Sequence, residues 1–177
     1  MKDIAMHILD IAYNSIRALS SLITINIVDS MIQNKIEITI QDNGKGMSEE
    51  TLKQVINPFY TTRTTRRIGL GIPLFKEGVE MTGGKFKITS QLNEGTTTYG
   101  CYVKNHLDTP PMGDLCETII TLIQANANID YLITYQNDKT SFCLDTKEIK
   151  KILDGISINE PEIILWLKDY IKEGMSL

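Results

Sequence analysis

Apolar and polar positions near the start of the chain repeat with the period of an α-helix. Apolar side chains recur every three or four residues from Ile4 to Leu19, which predicts a helix over residues 3–19. The polar residues of this segment also share one face, because they follow one another at steps of three, four and three. They are His7, Asp10, Asn14 and Arg17. Such a stripe either faces water or contributes to a site.

The next two apolar runs have a period of two. Residues 22–28 and 35–40 carry isoleucine at every second position, which predicts two strands of one sheet joined by a hairpin at Gln33-Asn34. Capping, breaker and turn residues complete the pattern as far as residue 104. It predicts a helix over 48–56, a mobile loop over 57–68, a helix over 71–81 and a β-hairpin over 85–92 and 96–104 that turns at 93–95.

Beyond residue 104 the pattern predicts a smaller segment, which follows a stiff connection at Pro110-Pro111. Its predicted elements are a helix over 113–125, strands over 129–135 and 140–144, and helices over 146–154 and 160–173. This α-β-β-α-α segment contains no glycine-rich loop and no cluster of catalytic residue types. We therefore expect residues 1–104 to form the functional domain and residues 105–177 to form an accessory, partner-binding segment.

Composition and charge narrow the class of protein. The 177 residues are 42% hydrophobic, which is enough to bury a core. The net charge is −4 and the one basic cluster, at residues 63–67, is small, which argues against nucleic acid as the main partner. Asp3 and Asp10 interrupt any apolar signal segment, and no later run is long enough to cross a bilayer. We expect a cytoplasmic protein with no membrane partner.

The three cysteines carry no recognisable metal-binding or redox pattern. Cys101, Cys116 and Cys143 are odd in number and far apart, without a C-x-x-C pair. They are predicted to be buried thiols in a reducing compartment.

Glycines and polar residues in the first half predict a nucleotide pocket. Asp42 follows a predicted strand and would accept the adenine amino hydrogens, while Gly44 and Gly46 remove side chains that would block the base. Gly69 and Gly71 open a predicted helix whose free amides suit phosphate oxygens. On its own, an Asp-Asn-Gly sequence would be an ordinary turn.

Magnesium would complete this pocket, and better-known nucleotide motifs are excluded. Asn14 offers an amide oxygen, a ligand type that Mg²⁺ accepts. The chain contains no G-x-x-x-x-G-K-[ST] sequence, so it is not a P-loop protein. Gly69 and Gly71 lack the third glycine and the preceding strand of a dinucleotide-binding fingerprint.

Four segments in this order resemble the motifs of the GHKL ATPases, the superfamily of DNA gyrase, a class of heat-shock chaperone, histidine kinases and mismatch-repair ATPases. The segments are Asp10–Ala18, Asp42–Met47, Gly69–Leu74 and Glu94–Thr97. The resemblance covers residues 3–104. It implies an α+β fold, a two-layer α/β sandwich of the Bergerat type, in which ATP lies between a mixed sheet and helices under a lid formed by residues 57–68.

The resemblance also implies roles for individual residues. Asn14 would bind Mg²⁺ and Asp42 the adenine, while Thr96 or Thr97 would form the pocket floor. Phe59, in the lid, either anchors the lid by packing or stacks on the base. The full set expected to contact ATP is Asn14, Asp42, Gly44, Gly46, Met47, Phe59, Gly69, Leu70, Gly71, Thr96 and Thr97.

Three positions carry open alternatives about the chemistry. Hydrolysing family members usually have Glu where this chain has Asp10, so Asp10 is either a general base with a shorter reach or a residue that orders structure or water. Arg63 and Arg67, with Arg66 beside them, either clamp the γ-phosphate or belong to a solvated loop. His7 is either a phosphoacceptor or proton donor, or a packing or capping residue.

The segment Asn57–Arg63 is similar to the one that precedes the lid in histidine kinases and anti-sigma-factor serine kinases. This likeness implies a kinase that uses Mg-ATP to phosphorylate a protein partner. An ATPase that switches conformation or oligomeric state and a non-catalytic ATP sensor are the alternatives. Because the chain begins at the helix of the first motif, we expect it not to be a complete sensor kinase.

Overall fold

The computed structural model describes residues 3–57 and 70–176. Helices and strands alternate along these residues much as the periodicity predicts. In chain order they are α1 (Ile4–Arg17), β1 (Leu22–Ser30), β2 (Lys35–Asp42), α2 (Glu49–Ile56), α3 (Gly71–Met81), β3 (Lys85–Gln91), β4 (Gly95–Val103), α4 (Leu115–Ala125), β5 (Asp130–Asn137), β6 (Ser141–Asp145), α5 (Thr146–Leu153) and α6 (Pro161–Met175). Apart from Asn57, the predicted lid lies outside the described residues.

The described strands form one sheet in the order β3-β4-β2-β1-β5-β6. The β1–β5 pair is parallel and the other pairs are antiparallel, so the sheet is mixed. Ile25 lies opposite Ile40 on β2 and Ile133 on β5, and all three side chains are buried. The helices cover this apolar face, whereas the alternate residues of the strands form a more polar open face. The predicted two-layer α/β fold is confirmed.

Residues beyond 104 contribute to the same sheet. β5 pairs with the central strand β1, and β6 then forms an edge. α4 packs on α1 and α6 packs on α4, so the buried side chains of this segment join one core with those of the first. The predicted α-β-β-α-α order is confirmed, while the accessory role of the segment stays a prediction.

Several helix ends follow local capping rules, whereas the starts of α3 and α6 have no side-chain cap among the described residues, and that of α3 affects the site. The Asp3 carboxylate caps α1 by accepting a hydrogen bond from the Met6 amide, and Ser48 caps α2 in the same way. α1 ends at Arg17, two residues before the predicted end, because Leu19 adopts a left-handed φ of 60°. α3 differs: no side chain in the described ranges caps its first turn.

The cysteines differ from the prediction in their burial. Cys116 is buried, and burial raises the pKa of its thiol. Cys101 is half-buried and Cys143 is exposed on β6, so the prediction of three buried thiols is wrong for these two. All three are free thiols. Within the described ranges, no helix combines the length and the apolar character that crossing a membrane requires.

Candidate nucleotide site

A cavity of about 250 Å³ lies between α1, the β2–α2 loop, the starts of α2 and α3, and β4. Apolar atoms form most of the surface of the cavity, although many of the lining residues also carry a polar group, and small-molecule sites commonly combine the two. The described residues that line it are Ile11, Asn14, Ser15, Arg17, Ala18, Asp42, Lys45, Gly46, Met47, Thr51, Val55, Ile72, Thr96 and Thr98.

Asp42, the last residue of β2, is the buried acceptor of this cavity. Its side chain is held on both oxygens: the Ser15 hydroxyl donates to Oδ2 over 2.6 Å, and the Gly44 amide donates to Oδ1 over 2.9 Å. Ser15 is itself buried on α1. Each carboxylate oxygen has a further lone pair, so the group can accept hydrogen bonds from a ligand without losing those that orient it.

The loop after Asp42 needs its two glycines for close packing of the backbone. A β-carbon at Gly44 would lie 2.7 Å from the Ala18 carbonyl oxygen, and one at Gly46 would lie 1.9 Å from that of Gln91. Gly46 also has a φ of 63°, which favours glycine. The loop is therefore wedged between the end of α1 and the end of β3. Of the two glycines, Gly46 lines the cavity and Gly44 does not, so the predicted role of both in making room for a base stays a prediction.

The threonines of β4 divide between the two faces of the sheet. Thr96 and Thr98 line the cavity, whereas Thr97, between them, lies opposite Gln41 and away from it. The structure thus brings Thr96 and Thr98 to the cavity, whereas Thr97 is not among the residues that line it. The strand period of two already contained this information. Thr96 is oriented by a 2.8 Å hydrogen bond with the Ser90 hydroxyl.

The start of α3 meets α1 beside the cavity. A β-carbon at Gly71 would lie 2.9 Å from the Asp10 β-carbon and 3.6 Å from Asp10 Oδ2, so the exposed Asp10 borders the first turn of α3. Asn14, four residues later on the same face of α1, lines the cavity. Leu70 is the N-cap residue of α3 and is half exposed. The Asp10 carboxylate, the Asn14 amide and the N-terminus of α3 thus lie where α1 meets α3 beside the cavity.

The family with the description histidine kinase-, DNA gyrase B-, and HSP90-like ATPase matches residues 2–108. This chain belongs to that family of ATPases. The match includes α1, the loop after Asp42 and the start of α3, which together surround the cavity.

Two relatives of this chain are kinases that are much longer than it is. Sensor histidine kinase YvrG of Bacillus subtilis (strain 168) is 36% identical over 76 residues, which is 41% of this chain and 13% of the kinase. Sporulation kinase D of the same organism is 33% identical over 89 residues, which is 50% of this chain and 17% of the kinase. The chain thus spans less than a fifth of the length of either.

Solved structures share the fold at low sequence identity. The Aquifex aeolicus MutL ATPase domain complexed with ADP matches 87% of this chain and 70% of its own, with a TM-score of 0.55 and 14% identity. The N-terminal domain of a DNA repair protein matches 82% of this chain with a TM-score of 0.54. At such identities the likeness concerns the ATPase fold alone.

Two cationic residues at this cavity were assigned no role from the sequence. Arg17 and Lys45 both line it, and within residues 3–57 and 70–176 neither forms an ion pair. Arg17 belongs to the polar stripe of α1, and its position on the same face as Asn14 could have predicted that it reaches the cavity. Ser15 was also missed, although it directly follows Asn14. Four predicted contacts, at Phe59, Arg63, Arg67 and Gly69, lie outside the described residues.

His7, the first member of the polar stripe, is a packing residue in this ATPase fold. Its side chain is 5% exposed and its ring lies 5.6 Å from that of Phe75 on α3, centroid to centroid. Burial lowers its pKa to about 4. The stripe therefore does not face water along its length: His7 packs against α3, while Asn14 and Arg17 reach the cavity.

The described residues fit a magnesium ion that is held mainly by phosphate oxygens. Residues 3–57 and 70–176 contain no group of three or more His, Cys, Asp or Glu side chains that could hold a metal ion. Mg²⁺ commonly takes only one or two protein ligands beside phosphates and water. Asn14 supplies an amide oxygen at the cavity wall, next to the uncapped start of α3.

Proposed function

We propose that this chain binds Mg-ATP in the cytoplasm and transfers the γ-phosphoryl group to a partner protein. The observation that carries the proposal is the buried Asp42 carboxylate, which Ser15 and Gly44 hold at the wall of an apolar cavity in a chain of an ATPase family. The kinship with sensor and sporulation kinases supports transfer to a protein.

Adenine is the base that Asp42 favours. A carboxylate oxygen accepts hydrogen bonds, and the Ser15 hydroxyl proton is already committed to that of Asp42. The exocyclic amino group of adenine supplies the missing donor. A guanine carbonyl at the same position would face carboxylate lone pairs, and an unpaired buried acceptor costs about 1–3 kcal/mol.

The phosphates would extend towards the start of α3. Its first amides have no side-chain cap among the described residues, and helix N-termini attract anions. Arg17 and Lys45 add positive charge at the cavity. Asn14 would contribute to holding Mg²⁺, which neutralises phosphate charge when bound.

In the transfer step, the bond between the γ-phosphorus and its bridging oxygen breaks and ADP keeps the electron pair. A bond forms from the γ-phosphorus to an oxygen or nitrogen of the acceptor side chain. The acceptor loses a proton if it carries one on the attacking atom. Asp10 is the carboxylate beside the start of α3, and we assign it as the base that receives this proton.

Hydrolysis is the second candidate, and the contact between Asp10 and the start of α3 favours it. Water in place of the acceptor would meet the same carboxylate. The product would then be inorganic phosphate, formed without a partner, and the protein would act as a switch between its ATP and ADP forms.

One assay separates these functions. Partners are recovered with the chain in the presence and absence of ATP, and each is incubated with the chain, Mg²⁺ and ATP labelled on the γ-phosphate. We expect labelled partner with the wild type. Asp10→Asn should still bind ATP by calorimetry yet lose transfer, and Asp42→Ala should lose both.

Other results of the same assay would favour a different function. Release of phosphate without a partner, abolished by Asp10→Asn, would replace the kinase with an ATPase. Binding of ATP with neither label nor phosphate would identify a non-catalytic sensor. Failure of the wild type to bind ATP would reject all three functions.

A further inference from the structure

The outer surface of α6 exposes a contiguous group of large apolar side chains. Trp166 and Tyr170 are 49% and 40% exposed, and their rings stack with centroids 5.2 Å apart at an interplanar angle of 13°. The Tyr170 ring also lies 5.4 Å from that of Phe142 on the edge strand β6. Leu165, the residue before Trp166 in the helix, is 63% exposed. Trp166 is the one tryptophan of the chain.

The opposite face of α6 makes most of its contact with the protein. It buries Ile164, Leu167 and Ile171, where the helix packs on α4 and β6. Single exposed apolar residues are normal on protein surfaces, but a joined group rich in Trp and Tyr is typical of interfaces. Aromatic residues of this kind carry much of the binding energy where proteins meet.

Acidic residues surround the aromatic pair. Glu162, Asp169 and Glu173 are exposed, and the helical period places them on the same outer side as Trp166. Among the residues that the structure describes, none of the three forms an ion pair, whereas Lys168 on the flank pairs with Glu117 of α4. We call the five residues Glu162, Trp166, Asp169, Tyr170 and Glu173 the α6 outer face.

We propose that the α6 outer face docks a segment of a partner protein in which apolar side chains are flanked by lysine or arginine. The stacked rings offer an apolar contact and the three unpaired carboxylates offer complementary charge, which steers encounter and sets the register of docking. An amphipathic basic helix has this chemistry, since its apolar stripe and its charges alternate over successive turns.

The charges disfavour the other occupants. In a two-fold contact between copies of α6 that centres on Trp166 and Asp169, Glu162 of one copy would face Glu173 of the other. Like charges at such a contact repel. An anionic lipid surface is likewise repelled by three carboxylates, because such surfaces attract basic segments.

The α6 outer face lies outside the part of the chain that the ATPase family matches. That match ends at residue 108, and no residue of α6 lines the cavity. α6 packs on α4, and α4 packs on α1, which carries Asp10 and Asn14. A partner can therefore dock while the cavity stays accessible, and we expect docking without nucleotide. Failure of this proposal is thus distinguishable from failure of ATP binding.

The fluorescence of Trp166 reports docking directly. The full chain, without nucleotide, is titrated with a synthetic amphipathic helix of leucine and lysine, and separately with the same peptide carrying glutamate for lysine. We expect a saturable change of Trp166 emission with the basic peptide alone, weakening as ionic strength rises. An equal response to the acidic peptide, or no response to the basic one, would overturn the proposal.

Variants separate the α6 outer face from the net charge of the protein. With a dye-labelled basic peptide followed by anisotropy, Asp169→Lys and Trp166→Ala should each weaken binding about tenfold. Glu77→Lys makes the same change of charge at an exposed position of α3 and should leave binding within about twofold. Equal weakening by Glu77→Lys would contradict a localised site. Circular dichroism checks that each variant is folded.

Two further measurements test whether a second copy of the chain or a membrane occupies the α6 outer face instead. A dimer in sedimentation equilibrium that Trp166→Ala dissociates would identify a second copy as the occupant. A shift of Trp166 emission on vesicles of phosphatidylcholine and phosphatidylserine would identify a membrane surface instead.

Discussion

The β-carbon of Asp10 lies 2.9 Å from the position that a β-carbon on Gly71 would occupy. Non-bonded carbons do not approach this closely, so α3 begins against α1 only because residue 71 is glycine. The contact brings the Asp10 carboxylate to the helix N-terminus at which we expect the phosphates. It links a residue of the first motif to one of the third.

Gly71→Ala is therefore predicted to separate the two helices. We expect a loss of about 1–3 kcal/mol in the free energy of unfolding, because the added methyl cannot be accommodated without a shift of α1 or α3. ATP affinity should fall with it. Denaturant unfolding and calorimetry measure the two effects.

Gly78→Ala on the same helix is the matched control. Its β-carbon would meet its nearest neighbour, the Tyr102 hydroxyl, at an ordinary 3.5 Å. Alanine also favours the helix by up to about 1 kcal/mol. We expect unchanged or higher stability and unchanged ATP binding. Equal damage by both substitutions would show that the Asp10 contact is not the cause.

Asp42→Ala is predicted to abolish detectable ATP binding or to weaken it by at least about tenfold. The reason is the loss of the buried acceptor for the amino group, since a hydrogen bond to a charged group contributes about 1.5–3 kcal/mol. Isothermal calorimetry with ATP measures it. Asp108→Ala removes an exposed carboxylate that does not line the cavity and should bind ATP as the wild type does. Undiminished affinity of Asp42→Ala would refute the assigned role.

Ser15→Ala tests the orientation of Asp42. Losing the 2.6 Å hydrogen bond leaves Oδ2 of a buried carboxylate without its hydroxyl donor. We expect ATP binding about tenfold weaker and a loss of about 1–3 kcal/mol in unfolding free energy.

Ser20→Ala is its control. The Ser20 hydroxyl donates to the backbone carbonyl of Ser15 over 2.8 Å and does not touch Asp42. Its removal should lower stability but leave ATP affinity unchanged. If both variants bind ATP equally well, Ser15 does not act through Asp42.

His7 makes stability depend on pH. Burial lowers its pKa to about 4 from 6.5, so the folded protein keeps the ring neutral. Between these values the unfolded chain binds the proton and the folded one does not. The free energy of unfolding is therefore unaffected by His7 above about pH 6.5. As the pH drops from there towards 4, protonation of His7 in the unfolded chain lowers it by on the order of 3 kcal/mol.

His7→Leu should remove this part of the pH dependence. Denaturant unfolding at pH 7.5 and pH 5 measures it, and we expect a smaller loss on acidification in His7→Leu than in the wild type. His106→Leu replaces the second of the two histidines, which is exposed. Between pH 7.5 and pH 5 this variant should lose as much unfolding free energy as the wild type does. An identical pH response in His7→Leu and the wild type would mean that His7 already titrates normally.

Local patterns were sufficient wherever neighbouring residues decide the structure. The cap at Ser48, the left-handed Gly83 just after the end of α3, with its φ of 73°, and the turn at Asn93 were all predictable, because capping and turn geometry involve only a few consecutive residues. The glycine and aspartate motifs predicted which segments surround the cavity for the same reason.

Contacts between distant parts of the chain were not predictable in this way. The sequence showed Ser15 and Asp42, which are 27 positions apart, but not the hydrogen bond between them. Nor did it show that His7 would lie under α3, or that β5 would pair in parallel with β1 and extend the sheet. The different placement of Thr96 and Thr97 was predictable, because neighbouring residues of a strand point to opposite faces of the sheet.

The sequence by itself determined the order of helices and strands, the ATPase family and the segments that form the cavity, because periodicity, capping and short motifs are properties of neighbouring residues. The tertiary structure alone decided which side chains meet: Ser15 with Asp42, Asp10 with the start of α3, and Trp166 with Tyr170 beside β6. These meetings depend on how the buried faces of helices and sheet pack together, which no local pattern specifies.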